Sequence, residues 1–438
     1  MKIVKNKTLI ASALFAACAP LFAADYTVQA SGEWYNSAVW GGETPPVATT
    51  AETAIDNLSF ASTGLSVKLT GYNAGKYYVS NIQGSSTETQ TATIYTNSIW
   101  QNPYFGNITG NATYRFNFIW GVQGLTTDNP GNSVFRTHFG TNTTTSTFLN
   151  ADVTVYARMD ANKLTLNNSN LTLERYGSGT EASRFTSLTF KNGSSLAVKT
   201  NAYNTGFGYI AMEKGSSMTV ENALVQISDY VNLDGNLTIT GAKGSFIVNN
   251  KIRFNGGTLT LIGSDILTKS ALADPGADVT PISFNVYNNN ARIVLGGNES
   301  FDTTYFNLNS SGGKYKDTTR NITFVLHEDT TLLSFKRTTA PLTADYGSTL
   351  IGSGVNSDSS VYTWDYKYVF ENFKDGVVKF TEVLTDEYLA TQFVAEGWTN
   401  FTQDSDGFLH AVQVPEAAEL ACVFGAIALA FAALRRRK

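Results

Sequence analysis

The stretch Gly193-Ser194-Ser195-Leu196-Ala197-Val198 decides the predicted fold, because variants of it recur along the middle of the chain. Each copy begins with a glycine or asparagine turn and continues as an alternation of apolar and small polar residues. The glycines that lead four of the copies, Gly193, Gly215, Gly235 and Gly256, stand 22, 20 and 21 residues apart. A near-constant period combined with strand-like alternation predicts a solenoid built from β-strands.

This spacing predicts an all-β chain wound as a parallel β-helix. A coil of about 20 residues supplies two or three short strands, and coils stacked at about 4.8 Å satisfy one another's backbone groups. The leading glycines and asparagines suit corners with positive φ. Two rows of apolar side chains should line up inside, while the Ser and Thr between them face solvent. The rows are Leu171, Leu196, Met218, Leu237 and Leu259, and beside them Leu173, Val198, Val220, Ile239 and Leu261.

The alternative fold is a β-sandwich of antiparallel hairpins, which also shows strand and turn signals at short intervals. The longer period favours the solenoid. Residues 291–295 and 321–326 are interpreted as later coils, and the stretch 203–209, rich in glycine and aromatic residues, as an inserted loop. Asp375 and Gly376 are interpreted as a hairpin turn, which predicts an antiparallel cap near the C-terminus.

Aromatic residues are concentrated near the start of the body. Gly32-Glu33-Trp34 and Trp40-Gly41-Gly42 come first, and Phe116 and Phe118 follow further on. The end of a solenoid must be covered against solvent and against pairing with other chains, so Trp34 and Trp40 are predicted to be buried in a cap. The alternative is that these two rings form a platform that stacks on sugars. Phe116 and Phe118 should share the inward face of one strand.

The first 24 residues have the order of a secretory signal peptide. Three lysines precede an apolar run over residues 9–19, and the small residues Ala23 and Ala24 follow it. A basic start, a short apolar segment and a small-residue exit are typical of such signals. We expect cleavage after Ala23 or Ala24, which would leave a mature chain that begins near Asp25.

Residues 414–438 form a tail of three parts. These are Val414, Pro415 and Glu416, then an apolar run over 420–434, then Arg435, Arg436, Arg437 and Lys438. As a helix, residues 417–434 would be about 27 Å long, which is enough for a thin hydrocarbon layer. The four terminal cations should halt export and stay on the cytoplasmic side. The tail therefore predicts a single transmembrane sorting helix.

The tail resembles the sorting signal of the PEP-CTERM family, bacterial surface proteins that are processed by an exosortase. The family motif is Pro-Glu-Pro, and Ala417 stands here in place of the second proline. The resemblance covers residues 414–438. It implies that an exosortase-type enzyme of the envelope recognises Pro415 and Glu416, cuts nearby and transfers the body to a surface anchor. The opening with Trp34 and Trp40 resembles the first coil of autotransporter-type β-helix surface proteins.

The expected organisation has five parts. They are a signal peptide (1–24), a β-rich capping region (25–160), β-helix repeats (161–335), a C-terminal β-rich region (336–413) and the sorting tail (414–438). Removing the two targeting segments changes the formal charge from −5 to about −10, which argues against nucleic acid and anionic lipid as ligands of the body. Cys18 and Cys422 both lie in targeting segments, so the body has no disulfide or Cys-zinc site.

Residue types that carry out chemistry are sparse. His138, His327 and His410 lie far apart and lack ligand spacing, so neither a His-metal site nor a Ser-His-Asp triad is predicted. The stretch Asp404-Ser405-Asp406-Gly407 is interpreted as a turn stabilised by aspartate side chains rather than as a calcium loop, because the later ligands of such a loop are missing. No cofactor and no metal are expected.

The predicted function is that of an exported surface protein with a structural or adhesive role and no catalysis, with extracellular glycans as a subsidiary ligand class. The alternative is a β-helical polysaccharide lyase or glycosidase, whose site needs carboxylates clustered on adjacent coils. Asp152, Asp160, Asp229 and Asp234 are the nearest candidates, but their spacing does not match the period. Asp229 and Asp234 are interpreted as turn residues.

Overall fold

The computed structural model describes residues 25–46, 55–69, 76–96, 102–122, 136–139, 145–174, 183–199, 204–268, 282–286, 291–301, 304–307, 320–335, 353–355, 361–363, 366–414, 426, 427 and 429. Over these ranges the chain is all-β, and its strands form long parallel sheets that are consistent with a β-helix. The antiparallel sandwich is thereby ruled out. A short helix, α1 (Asp386–Gln392), and a 3-10 turn (Ser37–Trp40) accompany the strands.

The strands are short and follow one another closely. The first twelve are β1 (Asp25–Val28), β2 (Gly32–Glu33), β3 (Ile55–Phe60), β4 (Leu65–Leu69), β5 (Lys76–Gln83), β6 (Gln90–Thr96), β7 (Asn102–Thr109), β8 (Phe116–Val122), β9 (Arg136–Phe139), β10 (Thr145–Leu149), β11 (Ala151–Val155) and β12 (Arg158–Asn167). The next twelve are β13 (Asn170–Leu173), β14 (Ser183–Lys191), β15 (Ser195–Val198), β16 (Thr205–Met212), β17 (Ser217–Glu221), β18 (Val225–Leu233), β19 (Asn236–Thr240), β20 (Phe246–Val248), β21 (Lys251–Phe254), β22 (Thr258–Ile262), β23 (Leu267–Thr268) and β24 (Ile282–Val286). The last twelve are β25 (Ala291–Leu295), β26 (Glu299–Ser300), β27 (Thr304–Asn307), β28 (Arg320–Leu326), β29 (Leu333–Phe335), β30 (Ser353–Val355), β31 (Val361–Thr363), β32 (Tyr366–Glu371), β33 (Val378–Phe380), β34 (Phe393–Ala395), β35 (Trp398–Gln403) and β36 (Leu409–Gln413).

Two parallel sheets extend along the stack of coils. Sheet A has the order β1-β3-β5-β7-β10-β12-β14-β16-β18-β21-β24-β27, and sheet B has the order β2-β4-β6-β8-β11-β13-β15-β17-β19-β22-β25-β28-β32-β34. Each coil therefore adds one strand to each sheet. A shorter parallel sheet consists of β26, β29 and β33, and the described antiparallel pairs are β30 with β31 and β35 with β36.

The two predicted rows of apolar side chains are confirmed. The first row is in register from Leu171 to Leu259 and continues to Phe370. The second row lies beside it, from Leu173 to Leu261. Both rows are buried, whereas the residues between them point outward. Each buried Leu or Val contributes about 1.5–3 kcal/mol, so stacked rows stabilise a body that has no disulfide.

Sheet A bends along a line that crosses its strands. In a flat strand the side chains alternate, but Asn162 and Lys163 of β12 both point outward. In β16 the consecutive residues Gly208 and Tyr209 are both partly exposed, so the alternation is broken there as well. At the same line β9 and β10 are separate strands that both pair with β12, and β20 and β21 both pair with β18. We call the strand segments before this bend limb 1 and those after it limb 2. With sheet B, each coil thus presents three faces.

The bend explains why the prediction of an inserted loop at 203–209 is wrong for its described part. Thr205–Met212 is strand β16, which pairs with β14 and β18. A Cβ atom on Gly208 would come within 2.4 Å of the backbone oxygen of Thr186. Glycine is needed here because two backbones approach closely at the bend, not because the chain leaves the sheet.

Asparagines line the bend in the first coils. The amide nitrogen of Asn107 donates to Asn81 Oδ1 over 2.8 Å, and that of Asn81 donates to Asn57 Oδ1 over 3.2 Å. Asn107 Oδ1 in turn accepts from the backbone N–H of Thr147 over 2.9 Å. The side chains thus link successive coils where the strands change direction.

Three of the four leading glycines have the predicted positive φ. The values are 69° at Gly193, 83° at Gly215 and 116° at Gly256. The prediction is wrong for Gly235, which is not in the positive-φ region. A Cβ atom there would come within 2.3 Å of the backbone oxygen of Ser216. Glycine is therefore needed here because two backbone segments approach each other closely.

The two tryptophans near the N-terminal end of the stack are buried, as predicted. Trp34 is 1% exposed and Trp40 is 3% exposed, and their rings meet edge-to-face at 5.1 Å. Trp34 Nε1 donates to the backbone oxygen of Pro46, and Trp40 Nε1 donates to that of Trp34. The sugar-platform alternative is wrong for these two rings, because their faces are buried. Phe116 and Phe118 share the inward face of β8, as expected.

The C-terminal end differs from the prediction at Asp375 and Gly376. Strands β32 and β33 on either side of them belong to different parallel sheets, so these residues form a corner and not a hairpin turn. An antiparallel pair does close this end, but it is β35 with β36. Helix α1 precedes it and is capped at its N-terminus by Thr385, whose side-chain oxygen accepts from the N–H of Tyr388.

Candidate functional site

The predicted sorting motif begins where the antiparallel pair ends. The N–H of Val414 donates to the backbone oxygen of Gly397 over 2.7 Å, and Val414 is 46% exposed. Pro415, Glu416 and the terminal cations lie outside the described residues, as does most of the apolar run. Over the described ranges no helix combines the length and the apolar character required to cross a membrane.

Two of the four candidate carboxylates are engaged in ion pairs. Arg115 Nη2 donates to Asp152 Oδ1 over 2.6 Å, and Asn170 donates to the same oxygen. Burial opposes ionisation of Asp152, but the hydrogen bonds from Arg115 and Asn170 outweigh it and lower the pKa of the carboxyl group. Asp160 pairs with Arg158, whose Nε lies 3.1 Å from Asp160 Oδ1.

The other two candidates lie elsewhere on the coil. Asp234 is in the corner after β18, which agrees with its interpretation as a turn residue. Asp229 is not in a turn: it lies inside β18, where the register with β16 shifts at the bend, and it accepts from Asn250 over 3.0 Å. Together with Asp152 on sheet B and Asp160 on limb 1, the four carboxylates occupy four different lines of the stack. They do not converge as an acid and base pair would.

His138 belongs to a stacked column on the outer side of limb 1. Its ring lies 4.5 Å from that of Tyr104 at 10°, and Tyr104 lies 4.6 Å from Tyr78 at 12°. The three residues are in register on successive strands, and Asp160 occupies the same position on the next strand, β12. Because the rings cover one another's faces, they present edges rather than a stacking platform. The column is thus a cross-strand packing element.

His410 lies between two carboxylates. Its Nδ1 is 3.0 Å from Asp375 Oδ2, and its Nε2 is 3.2 Å from Asp404 Oδ2. The hydrogen bonds with Asp375 and then Asp404 raise the pKa of the imidazole. This contact joins the antiparallel pair to the last corner of the stack. No local spacing predicts it, because Asp375 and His410 are 35 residues apart.

The turn at residues 404–407 is stabilised as predicted. Asp404 Oδ1 accepts from the N–H groups of Asp406 and Phe408 over 2.9 and 2.8 Å, and Gly407 has a φ of 91°. The side chain thus replaces a backbone partner in the loop between β35 and β36.

His327, Glu328 and Asp329 form an exposed cluster in which one ligand atom from each lies within 4.8 Å of the others. The ammonium of Lys374 donates to the backbone oxygens of this turn, at 2.9 Å from His327 and 2.6 Å from Glu328. A cation that belongs to the protein therefore already lies at this corner. Exposed clusters of this kind are common on turns, so we assign no metal to it.

A shallow groove of 550 Å³ lies between α1 and β35. Its apolar lining includes Leu389, Phe393, Trp398 and Phe401, with Asp386 at its edge. Phe393 and Phe401 pack on each other at 5.9 Å, so the groove is part of the cap that closes the C-terminal end of the stack.

Four cations at the outer side of sheet B each have a carboxylate partner. The pairs are Lys68 with Glu33, Arg115 with Asp152, Lys199 with Glu221, and Arg292 with Glu371. The hydrogen bond with Glu371 raises the pKa of Arg292, and that with Arg292 lowers the pKa of Glu371. Within these four pairs the charges are therefore balanced.

No family model matches the sequence, and neither a curated protein nor a solved structure matches it. The fold therefore defines the class, which is an all-β protein with long, solenoid-like parallel sheets.

Proposed function

We propose that the chain is a parallel β-helix that is exported, sorted through residues 414–438 and displayed at the cell envelope in a structural or adhesive role. The observation that carries this proposal is the junction at Val414. The last hydrogen bond of the antiparallel pair is made by the Val414 N–H, and the motif residues Pro415 and Glu416 follow directly. A sorting enzyme would thus find its motif in the sequence directly after the last described strand.

The outer surface of sheet B supports a display role. Outward residues of successive coils are in register and are mostly small hydroxyl or β-branched residues, as at Thr154, Thr172, Thr219, Thr238 and Thr260. Such a body is a stable spacer or contact surface and needs no cofactor.

Tail deletion tests the proposed sorting. Removing residues 414–438 should release the protein into the medium, because the motif, the apolar run and the cations are lost together. The matched control replaces Pro415 and Glu416 by alanine and keeps the apolar run, so that this variant should remain membrane-bound and unprocessed. Fractionation with immunoblotting measures both. Surface retention of the deletion variant, or a cytosolic wild-type protein, would overturn the proposal.

The absence of catalysis is part of the same proposal and has its own test. The separation of Asp152, Asp160, Asp229 and Asp234 supports it. Incubating the purified protein with acidic and neutral polysaccharides should leave their chain lengths unchanged. Release of unsaturated or reducing ends would instead favour the lyase or glycosidase alternative.

A further inference from the structure

One row of outward side chains on limb 2 combines two lysines with two tyrosines. The row is in register over six strands and consists of Lys163, Ser187, Tyr209, Tyr230, Lys251 and Ser283. Over the part of the chain that the structure describes, the ammonium groups of Lys163 and Lys251 make no ion pair and no hydrogen bond with the protein. They contrast with the paired cations of sheet B.

The neighbouring row of limb 2 adds a third cation. It consists of Thr165, Thr189, Ala211, Asn232, Arg253 and Asn285. The Arg253 guanidinium lies 4.0 Å from the centre of the Tyr230 ring, and Asn232 donates to the Tyr209 hydroxyl over 3.2 Å. The cation–π contact thereby fixes Arg253 against Tyr230, and the hydrogen bond from Asn232 fixes Tyr209. Neither row contains an aspartate or a glutamate.

We propose that these two rows, the limb 2 strip, bind an acidic polysaccharide laid along the stack. This inference rests on the proposed function, because it names the ligand class of an adhesive surface protein. Lys163 and Lys251 are four coils apart, which is about 19 Å at the usual strand separation. Between them the strip offers hydroxyl and amide groups, including the hydroxyl groups of Tyr209 and Tyr230 and the amide of Asn232. An extended sugar chain with carboxylate groups at intervals matches this alternation of charge and neutral polar contacts.

The surroundings of the strip select against more densely charged ligands. Glu213 and Asp234 lie at the corner beside limb 2, and Asp229 lies at the bend on its other side. The exported body as a whole carries about −10 charges, which repel nucleic acid and anionic membranes at long range. A polysaccharide with one carboxylate per sugar has a lower charge density than double-stranded DNA, which carries one charge per about 1.7 Å, so it is repelled less. Its carboxylates can meet Lys163, Lys251 and Arg253 at short range.

Affinity electrophoresis of the purified protein in gels with polygalacturonate tests the proposal. Wild type should be retarded by polygalacturonate and not by dextran, and retardation should weaken as salt is added. The double variant Lys163→Ala, Lys251→Ala should bind at least about tenfold more weakly, because two charge-assisted contacts are lost. The matched control, Lys68→Ala with Lys199→Ala, removes the same charge from sheet B and should bind like wild type. Both pairs lie on the surface, and circular dichroism checks that the variants fold.

Several results would overturn the proposal. They are no retardation by polygalacturonate at low salt, equal retardation by dextran, tighter binding to double-stranded DNA than to polygalacturonate, or an equal loss of affinity in the two double variants. The last result would mean that net charge and not the limb 2 strip governs binding. Since the assay uses purified protein, its outcome is independent of the cell fractionation that tests sorting. Failure of one proposal can therefore be told apart from failure of the other.

Discussion

At the scale of single residues, Glu299 is the most unusual group in the described body. It begins β26, is 2% exposed, and accepts from the backbone N–H groups of Ile266 over 2.9 Å and Leu267 over 3.3 Å. Its carboxyl group thus satisfies donors of the preceding coil that have no strand partner at that point. Burial raises the pKa of Glu299 to about 8, against the opposing effect of these hydrogen bonds.

The raised pKa predicts a pH-dependent stability. Because the folded-state pKa of Glu299 lies above the ordinary 4.5, the contribution of this group is fully present below pH 4.5 and is lost as the pH rises through about 8. We expect the melting temperature of the wild type to fall across this window. Glu299→Gln has no proton to lose, so its deficit relative to wild type should be largest near pH 5 and shrink towards pH 8.

Calorimetry at several pH values measures this difference. Glu213→Gln is the matched control, since Glu213 is exposed at a corner, and it should keep the pH dependence of the wild type. A constant deficit of Glu299→Gln from pH 5 to 8 would mean that the carboxyl group does not change protonation in that range.

At the scale of elements, the bend of sheet A depends on glycine. Gly208 and Gly206 lie in the same strand, β16, and neither has a positive φ. A Cβ atom on Gly208 would come within 2.4 Å of a backbone oxygen of β14, whereas one on Gly206 would lie at an ordinary 3.8 Å from the backbone oxygen of Ser183. Only the first contact requires the strands to move apart.

Alanine substitutions separate the two positions. Gly208→Ala should lower the free energy of unfolding by about 1–3 kcal/mol, because β14 and β16 must shift to relieve the overlap. Gly206→Ala should be neutral or slightly stabilising, since alanine reduces the freedom of the unfolded chain. Chemical denaturation measures both. Equal effects of the two substitutions would show that the bend tolerates a side chain.

At the scale of the whole molecule, the stack depends on its covered ends. Trp34 packs on Trp40 and on Tyr77, with edge-to-face contacts at 5.1 Å in both cases. These rings hold the 3-10 turn (Ser37–Trp40) against the first coil, where the N–H of Gln29 donates to the backbone oxygen of Val39. Without them, the backbone groups of β1 and β2 would be free to pair with another chain.

Trp34→Ala should therefore have two effects. It should lower the free energy of unfolding by about 3–5 kcal/mol, and it should promote end-to-end association. Light scattering combined with denaturation measures both. Val383→Ala is the control, because Val383 is 90% exposed and should change neither. A monomeric Trp34→Ala protein would show that another part of the chain protects this end.

The sequence by itself determined the direction in which each residue of the repeats faces. Leu196 and Val198 are separated by one residue and recur with the coil, and period-2 alternation within a strand follows directly from backbone geometry. The burial of Trp34 and the turn at Asp404 could also be predicted from local residue types. The destination of the tail, including Pro415 and Glu416, is a prediction of the sequence alone.

Only the tertiary structure decided what meets between coils. Contacts between coils depend on how many residues each coil contains. Examples are Glu299 with Ile266, His410 with Asp375, and Lys163 with its row. Coil length varies with loops that no periodic pattern reports. A local pattern distinguishes inside from outside within one coil, whereas the register between coils is set by packing over the whole stack. That is the physical reason why the bend at Gly208 and the limb 2 strip emerged only from the fold.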